Sequence, residues 1–207
     1  MLSEYERKGI LNHDRKIIES SSGNLGVALA MACAAKNYSF TCVTDPNISP
    51  LNLTLMKAYG AEVLTIKGSG AAGYVQRRID LIHQLMDKDP SYLWIDQYSC
   101  DANTHAHYSS TAPQILEAVP DLDYLFVGVG SSGTIMGCSK YFREHAPSAK
   151  VIAVDPVGSV LFGGQPSNRL IPGIGGSTIP PLLDTSIPHD VVKVDETETI
   201  TMCRETV

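Results

Sequence analysis

The 207-residue sequence predicts an α/β protein built on parallel β-sheet. Short apolar runs rich in β-branched residues alternate with helical segments along the chain, which is the pattern of strand–helix–strand units. Several of these runs are apolar at successive positions, as expected for strands that helices cover on both faces. A chain of this length can form one large domain or two small ones, and neither needs disulfide bonds or a metal for stability.

Seven strands and six helical segments follow from this alternation. The predicted strands are residues 16–19, 40–44, 61–66, 92–95, 124–127, 151–154 and 191–194. The predicted helical segments are residues 25–36, 50–59, 73–88, 115–118, 135–144 and a final segment from Glu196. Gly60 directly follows the helix at 50–59, where a residue that tolerates positive φ is the expected helix stop. The sequence YSCDAN at 98–103 interrupts the pattern, so we predict two domains, residues 1–100 and residues 101–207.

Composition and charge exclude several classes of protein. Apolar residues make up 43% and charged residues 18% of the chain, a globular composition and not a fibrous or disordered one. The net charge is −6 and no basic block occurs, so a nucleic-acid partner has no electrostatic basis. No apolar run approaches the ~20 residues of a membrane span, and the N-terminus lacks a signal-peptide core. The five widely spaced cysteines are odd in number, which indicates reduced thiols and a cytoplasmic location.

The strongest local signal is Gly128-Val-Gly130-Ser-Ser-Gly133-Thr134, which follows a strand and opens a helix. Glycines let the backbone approach a phosphate, and a helix N-terminus supplies free N–H groups. The same spacing satisfies the dinucleotide pattern G-x-G-x-x-G. Asp155 ends the next strand, about 20 residues after Gly133, where such sites place the acidic residue that binds the ribose. A phosphate site, a dinucleotide site and a tight turn without a ligand are therefore all compatible with this segment.

A second anion site is predicted at residues 20–26, with the sequence SSSGNLG, which also follows a strand and opens an alanine-rich helix. Three hydroxyls and an asparagine at a helix N-terminus suit a carboxylate. The alternative is helix capping by Ser22 or Asn24. Capping needs one such side chain, however, so the cluster exceeds what capping requires.

The SSSGNLG segment with its alanine-rich helix resembles the asparagine loop of fold-type II pyridoxal-phosphate enzymes, the cysteine synthase family. Further segments match this family in order along essentially the whole chain. They are residues 95–98, residues 103–113 with His107 and Thr111, Gly130–Thr134, Asp155-Pro156 with Gly158-Ser159, and residues 171–175. The resemblance implies the three-layer, tryptophan synthase β-like architecture, with residues 1–100 in the small domain and residues 101–207 in the large one. If the resemblance holds, the glycines at 128–133 belong to a phosphate loop, and their match to the dinucleotide pattern is a coincidence.

The same resemblance implies pyridoxal 5'-phosphate as the cofactor and gives roles to individual residues. Asn24 would hydrogen-bond the phenolic oxygen of the cofactor. The residues that would hold the cofactor phosphate are Gly130, Ser131, Ser132, Gly133 and Thr134. The residues that would bind the α-carboxylate of an amino-acid substrate, or line its site, are Ser21, Ser22, Gln97 and Gly173. Two departures from the family pattern are Leu25, where threonine is common, and Ser131-Ser132 in place of Thr-Gly.

The implied activity is β-replacement on a serine-type amino acid, by a homodimer with small amino-acid substrates. Residues 157–164 and 169–173 resemble one branch, the N-(2-amino-2-carboxyethyl)-L-glutamate synthases, which join O-phosphoserine and glutamate in siderophore biosynthesis. Arg169, together with Arg77 and Arg78, would then serve an acidic second substrate or a leaving phosphate. For each arginine alone, a solvated helix face or surface loop is an equally good interpretation. The Gly/Pro-rich stretch 158–181 that contains Arg169 is too long for an ordinary connection, so we expect it to be functional.

No catalytic residue is assigned, because the family's Schiff-base lysine has no counterpart in this sequence. That lysine stands in an S-x-K motif, followed by D or R, upstream of the asparagine loop, and none of the nine lysines here has that context. Lys8 lies on a predicted helix and is expected to be exposed. The serine that faces the pyridine nitrogen in the family would also fall beyond the C-terminus. We therefore expect the chain to lack both ends of the cofactor site and to be inactive by itself.

Two other functions and one other ligand are compatible with parts of the sequence. An NAD-binding oxidoreductase would use the GVGSSG segment and Asp155, and a non-catalytic module would sense an amino acid or phosphate through the two loops. His105 and His107, near Cys100, are reminiscent of a metal site. No further ligand stands at a recognised spacing, so no metal is predicted.

Overall fold

The computed structural model describes residues 1–68 and 73–206, and the chain divides into two compact units. We call Met1–Asp96 the N-terminal unit and Gln97–Val207 the C-terminal unit. Their correspondence to the small and large domains of fold type II stays a prediction. The predicted α/β class with parallel sheets is confirmed, because every strand pair in both units is parallel.

Four strands and four helices make up the described part of the N-terminal unit. They are α1 (Leu2–Arg7), β1 (Lys16–Ser20), α2 (Asn24–Lys36), β2 (Phe40–Thr44), α3 (Pro50–Ala58), β3 (Glu62–Thr65), α4 (Gly73–Lys88) and β4 (Tyr92–Trp94). The sheet has the order β3-β2-β1-β4, so the two most buried strands lie at its centre. Ile17 packs with residues of α2 and α3 on one face, and Ile18 packs with Ile82 of α4 on the other. The uninterrupted apolar runs in the sequence reflect this double coverage.

Local sequence explains where these helices begin and end. The Ser49 side chain accepts the Asn52 N–H at 3.1 Å and Pro50 is the first residue of α3, which is the preferred start of a helix. Asn37 closes α2 in the left-handed region at φ 57°, and Gly60 follows α3 at φ 82°.

The C-terminal unit contains a three-stranded sheet of order β5-β6-β7. Its elements are α5 (Asp101–Ala106), a π-helix (His107–Thr111), α6 (Ala112–Ala118), β5 (Tyr124–Gly128), α7 (Gly133–His145), β6 (Lys150–Pro156), β7 (Asp190–Val194) and α8 (Glu196–Glu205). One face of the sheet, with Val127 and Ala153, packs against α7 through Ile135 and Phe142. On β5, Phe126 points away from this core and is 60% exposed.

The seven predicted strands and six predicted helices are all present, with ends shifted by a few residues. The sequence did not predict α5, which begins within the interrupting segment 98–103, or the π-helix that follows it. Both lie against α7, where Gly133 and Gly137 present no side chains. A Cβ on Gly137 would stand 2.5 Å from the backbone oxygen of Thr104. These two glycines, one helical turn apart, form the groove that lets a second helical segment come this close.

Candidate active-site loops

Ser21 holds the asparagine loop, residues 20–26, in shape. Its side chain is 5% exposed, and its Oγ accepts the backbone N–H groups of Gly23 at 3.2 Å and Gly26 at 3.0 Å. Both N–H groups stand at the start of α2, where the ordinary acceptor four residues earlier is missing, and the Gly26 N–H also donates to the Gly23 oxygen at 3.2 Å. The capping role that the sequence offered to Ser22 or Asn24 therefore belongs to Ser21, and that alternative was wrong in its choice of residue.

Ser22 is held from outside the loop by an arginine. Nη1 of Arg78, on α4, donates to Ser22 Oγ at 3.2 Å and lies 3.0 Å from Asp45 Oδ2. The side chains of Arg78 and Asp45 are 6% and 5% exposed, so this is a buried ion pair. The interpretation of Arg78 as part of a solvated helix face is wrong. The neighbouring Arg77 is half-buried and donates to the backbone oxygens of Lys67 and Gly68.

Asn24 is the first residue of α2 and lies exposed on the loop. Its amide makes no hydrogen bond to the described residues, so it is open to a ligand. Gly26, two residues further along α2, is buried in the core, where a Cβ would stand 2.4 Å from Cε of Met56. The glycine thus lets α2 approach α3 and fixes the direction in which the loop enters the helix.

The phosphate loop, residues 130–134, connects β5 to α7 in the C-terminal unit. Ser132 precedes α7 with φ 72°, a left-handed conformation that is uncommon outside glycine, and it is 3% exposed. Asn103 Nδ2 supports the loop from α5, donating to the Gln97 backbone oxygen at 2.8 Å and approaching Ser131 Oγ at 3.4 Å. A Cβ on Gly133 would stand 2.2 Å from Asn103 Oδ1, so glycine is required there.

His107 connects the π-helix to the phosphate loop. Its Nδ1 is 2.9 Å from Thr111 Oγ1, and its Nε2 is 3.2 Å from Thr134 Oγ1 in the first turn of α7. Burial lowers the pKa of His107, which favours the neutral ring. A neutral ring has one donor and one acceptor, so it can order both hydroxyls at once. Sequence reasoning placed His107 and Thr111 in a matching segment but did not foresee their contact with Thr134.

The 171–175 loop lies directly against the phosphate loop. The Gly175 N–H donates to the Val129 backbone oxygen at 2.7 Å, and a Cβ on Gly130 would stand 3.0 Å from the Gly173 oxygen. The structure thus brings together Gly130 and Gly173, two residues that the sequence assigned separately. Arg169 is half-buried beside this loop, and its Nη2 donates to Ser177 Oγ at 3.1 Å. Its Nη1 is buried and has no hydrogen-bond partner among the described residues.

Gln97 begins the C-terminal unit, three residues after the end of β4 and directly after the left-handed Asp96 at φ 48°. Its side chain is half-buried, and its backbone oxygen accepts the Asn103 amide described above. Asn103 therefore links the segment of Gln97 to the phosphate loop within one unit.

Asp155 is placed unfavourably for the ribose contact of a dinucleotide site. It is fully buried in β6, and its Oδ2 accepts a hydrogen bond from Nζ of Lys193, on β7, at 2.6 Å. Lys193 Nζ also donates to the Gly163 backbone oxygen at 3.0 Å, which fastens the start of the Gly/Pro-rich stretch. Asp155 is therefore a structural anchor for this stretch, and the geometry disfavours the dinucleotide interpretation.

Within residues 1–68 and 73–206, no group of three or more His, Cys, Asp or Glu side chains is placed to hold a metal ion. No helix in that same part of the chain is long and apolar enough to cross a membrane.

Lys8 closes α1 and is exposed, as the sequence predicted. Its Nζ lies 3.2 Å from Oε1 of Glu4.

Comparisons with known proteins agree on one family. The family described as "Pyridoxal-phosphate dependent enzyme" matches residues 1–207. A hydrogen sulfide-producing enzyme from Fusobacterium nucleatum is 32% identical with a TM-score of 0.91, over 99% of this chain and 69% of that one. A mutant of O-ureido-L-serine synthase with O-ureido-L-serine bound is 31% identical with a TM-score of 0.89, over 98% and 63%.

A third similar structure is an O-acetylserine dependent cystathionine beta-synthase from Helicobacter pylori. It is 27% identical with a TM-score of 0.90, over 98% of this chain and 66% of that one. The chain thus spans between 63% and 69% of the length of these three proteins.

Proposed function

Because the chain belongs to the family of pyridoxal-phosphate dependent enzymes, we propose that it serves β-replacement on a serine-type amino acid. In this reaction the substituent on the β-carbon leaves and a nucleophile takes its place. The similar structures support this class, since their names refer to O-ureido-L-serine, to O-acetylserine and to hydrogen sulfide production. A homodimer and a cytoplasmic location remain predictions.

The phosphate loop has the donors that a cofactor phosphate needs. Ser131 and Thr134 supply hydroxyls, and the first turn of α7 supplies N–H groups without helical acceptors. With neutral His107 donating from Nε2 to Thr134 Oγ1, the Thr134 proton is free to point at a phosphate oxygen. The exposed Asn24 amide, in the N-terminal unit, suits a phenolic oxygen. Bound pyridoxal phosphate would supply the electron sink at the substrate α-carbon.

The observation that carries the proposal is the contact of Arg78 with Ser22. Arg78 donates to Ser22 Oγ, so the Ser22 hydroxyl is left to donate its own proton outward. A hydroxyl oriented in this way suits the α-carboxylate of an amino acid. Ser21 serves the same site indirectly, because its Oγ is engaged in holding the loop.

For the finer assignment we favour O-phosphoserine with glutamate as the nucleophile. The support is Arg169, whose buried Nη1 lies beside Gly175 and has no hydrogen-bond partner within residues 1–68 and 73–206. A guanidinium with an unused donor suits a phosphate or a second carboxylate. O-Acetylserine with sulfide is the alternative substrate pair, and it requires no such cation.

Binding tests the proposal first. The purified protein is titrated with pyridoxal phosphate, pyridoxal and NAD, following cofactor absorbance. Since the phosphate contributes charge-assisted hydrogen bonds, we expect pyridoxal phosphate to bind about tenfold or more tightly than pyridoxal, and NAD not to bind. Failure to bind pyridoxal phosphate, with or without O-phosphoserine, would overturn the proposal. Tight NAD binding that is lost in Asp155→Ala would support the oxidoreductase instead.

Turnover is measured with O-phosphoserine or O-acetylserine, each with glutamate or sulfide. None of the nine lysines stands in the family's lysine motif, so we expect these 207 residues alone not to exceed the rate of free cofactor. Turnover well above that rate would mean that another lysine has taken the role.

A further inference from the structure

Glu196 binds two consecutive backbone N–H groups that are distant in sequence. Its Oε2 accepts the Leu170 N–H at 2.5 Å, and its Oε1 accepts the Ile171 N–H at 2.8 Å. The residue is 8% exposed, although it opens a surface helix, α8. A carboxylate is costly to bury unless hydrogen bonds compensate it, and these two charge-assisted bonds do so.

The helix itself does not require this carboxylate. The Asp195 side chain caps α8 by accepting the N–H groups of Thr197 at 2.8 Å and Glu198 at 3.1 Å. Glu198, in the same first turn, is exposed and already complements the helix dipole. The position of the Glu196 side chain is therefore explained by the segment it binds and not by helix capping.

The bound segment carries Arg169 on one side and the 171–175 loop on the other. Apolar burial does little to hold it, since Leu170 is 66% exposed. Polar contacts fix it instead, with Glu196 at residues 170 and 171 and the Val129 oxygen at Gly175. The stretch between these two anchors contains Gly173, which stands against Gly130 of the phosphate loop.

We propose that Glu196 is a positioning residue that sets where Arg169 and Gly173 meet an anionic amino-acid substrate. The role in substrate binding rests on the proposed function. The role in fixing residues 170 and 171 rests on the two hydrogen bonds alone. Glu196 is not proposed to touch the substrate, because both of its carboxylate oxygens accept the backbone N–H groups of Leu170 and Ile171.

The test compares Glu196→Gln with Glu198→Gln, which removes the same charge from the same helical turn. Glutamine keeps the size but presents an NH₂ to one of the two backbone N–H groups. We expect amide exchange at Leu170 and Ile171 to rise at least tenfold in Glu196→Gln and to spread to Gly175. In Glu198→Gln these amides should exchange as in the wild type. Equal exchange in the two variants would overturn the proposal.

The second readout is substrate affinity in the presence of pyridoxal phosphate. We expect Glu196→Gln to weaken O-phosphoserine binding at least fivefold while the affinity for pyridoxal phosphate alone stays unchanged. Faster exchange with unchanged O-phosphoserine affinity would overturn the positioning role. If the wild type binds neither compound, the proposed function fails, and the exchange data still decide whether Glu196 fixes the segment. Should Glu196→Gln not fold, Glu196→Asp, whose shorter side chain cannot reach both N–H groups, replaces it under the same criteria.

Discussion

Arg78 and Asp45 form a buried ion pair, with 3.0 Å between Nη1 and Oδ2, and the same Nη1 reaches Ser22 Oγ at 3.2 Å. The pair thus joins α4 and the end of β2 to the loop that follows β1. A buried pair contributes little net stability when intact, but removing one partner leaves a charge uncompensated. The asparagine loop is therefore coupled to the fold of the N-terminal unit through a contact that tolerates few substitutions.

Arg78→Met should lower the free energy of unfolding of the N-terminal unit by about 3–5 kcal/mol, because Asp45 would remain buried without its partner. Urea unfolding followed by Trp94 fluorescence measures this, since Trp94 is the chain's single tryptophan and lies in β4 of that unit. Arg77→Met is the matched control and should cost less, about 1 kcal/mol, because it loses surface hydrogen bonds to the Lys67 and Gly68 oxygens but leaves no charge buried. Adding Asp45→Asn to Arg78→Met should recover part of the loss, and strictly additive losses would contradict the pairing.

The sequence predicted the sheets well and the contacts around the loops poorly. Strands such as β2, which is buried at every position, are rich in apolar and β-branched residues, so local composition alone identifies them. The partner of Arg78 could not be inferred, because Asp45 is remote in sequence and meets Arg78 only in the folded sheet. Which of three adjacent serines caps α2 depends on loop backbone geometry, which a cluster of hydroxyls does not encode. The short α5 lacks an apolar stripe, and its packing depends on Gly133 and Gly137 of α7.

Gly137→Ala should destabilise the C-terminal unit by about 1–3 kcal/mol, the usual cost of overpacking. The new methyl group would stand 2.5 Å from the Thr104 oxygen and 2.8 Å from the Tyr108 nitrogen, and these backbone atoms cannot move alone. Hydrogen exchange measures the loss of stability, at the α7 amides for this variant and at the α2 amides for the comparison variant below. Gly26→Ala is the comparison, because its methyl group would meet Cε of Met56, the end of a flexible side chain. There the gain in helix propensity, up to about 1 kcal/mol, offsets much of the clash. Similar losses in both variants would contradict this distinction between backbone and side-chain neighbours.

His107 should make the C-terminal unit less stable as the pH falls. Burial lowers the pKa of His107 in the folded state below its ordinary value of 6.5. Between the folded-state pKa and the unfolded-state pKa of about 6.5, the unfolded chain binds more protons than the folded chain. The free energy of unfolding is therefore highest above about pH 6.5 and falls as the pH drops toward the folded-state pKa. Urea unfolding followed by circular dichroism from pH 8 to pH 5 measures the decline, with Trp94 fluorescence marking the other unit. His107→Gln should flatten the curve, and an unchanged slope in that variant would show that other groups cause it.

Arg169→Ala should impair binding of a phosphorylated or doubly acidic amino acid more than binding of a neutral one. A guanidinium that makes charged hydrogen bonds contributes about 1.5–3 kcal/mol, so we expect a loss of roughly 10- to 100-fold in O-phosphoserine affinity. O-Acetylserine carries no second anionic group, so the affinity for O-acetylserine should change less than about threefold. The measurement is the absorbance change when each amino acid is added to the protein with pyridoxal phosphate.

Arg169→Lys separates charge from geometry at the same position. Lysine keeps the positive charge but lacks the planar fork that binds two oxygens of one anion, so it should restore only part of the O-phosphoserine affinity. These variants probe the loss of the buried Nη1 beside Gly175, for which the described part of the chain supplies no hydrogen-bond partner. Equal losses for both amino acids would assign Arg169 a folding role through its bond to Ser177. Unchanged affinity for both would make O-acetylserine with sulfide the better assignment, because that pair brings neither a phosphate nor a second carboxylate to this arginine.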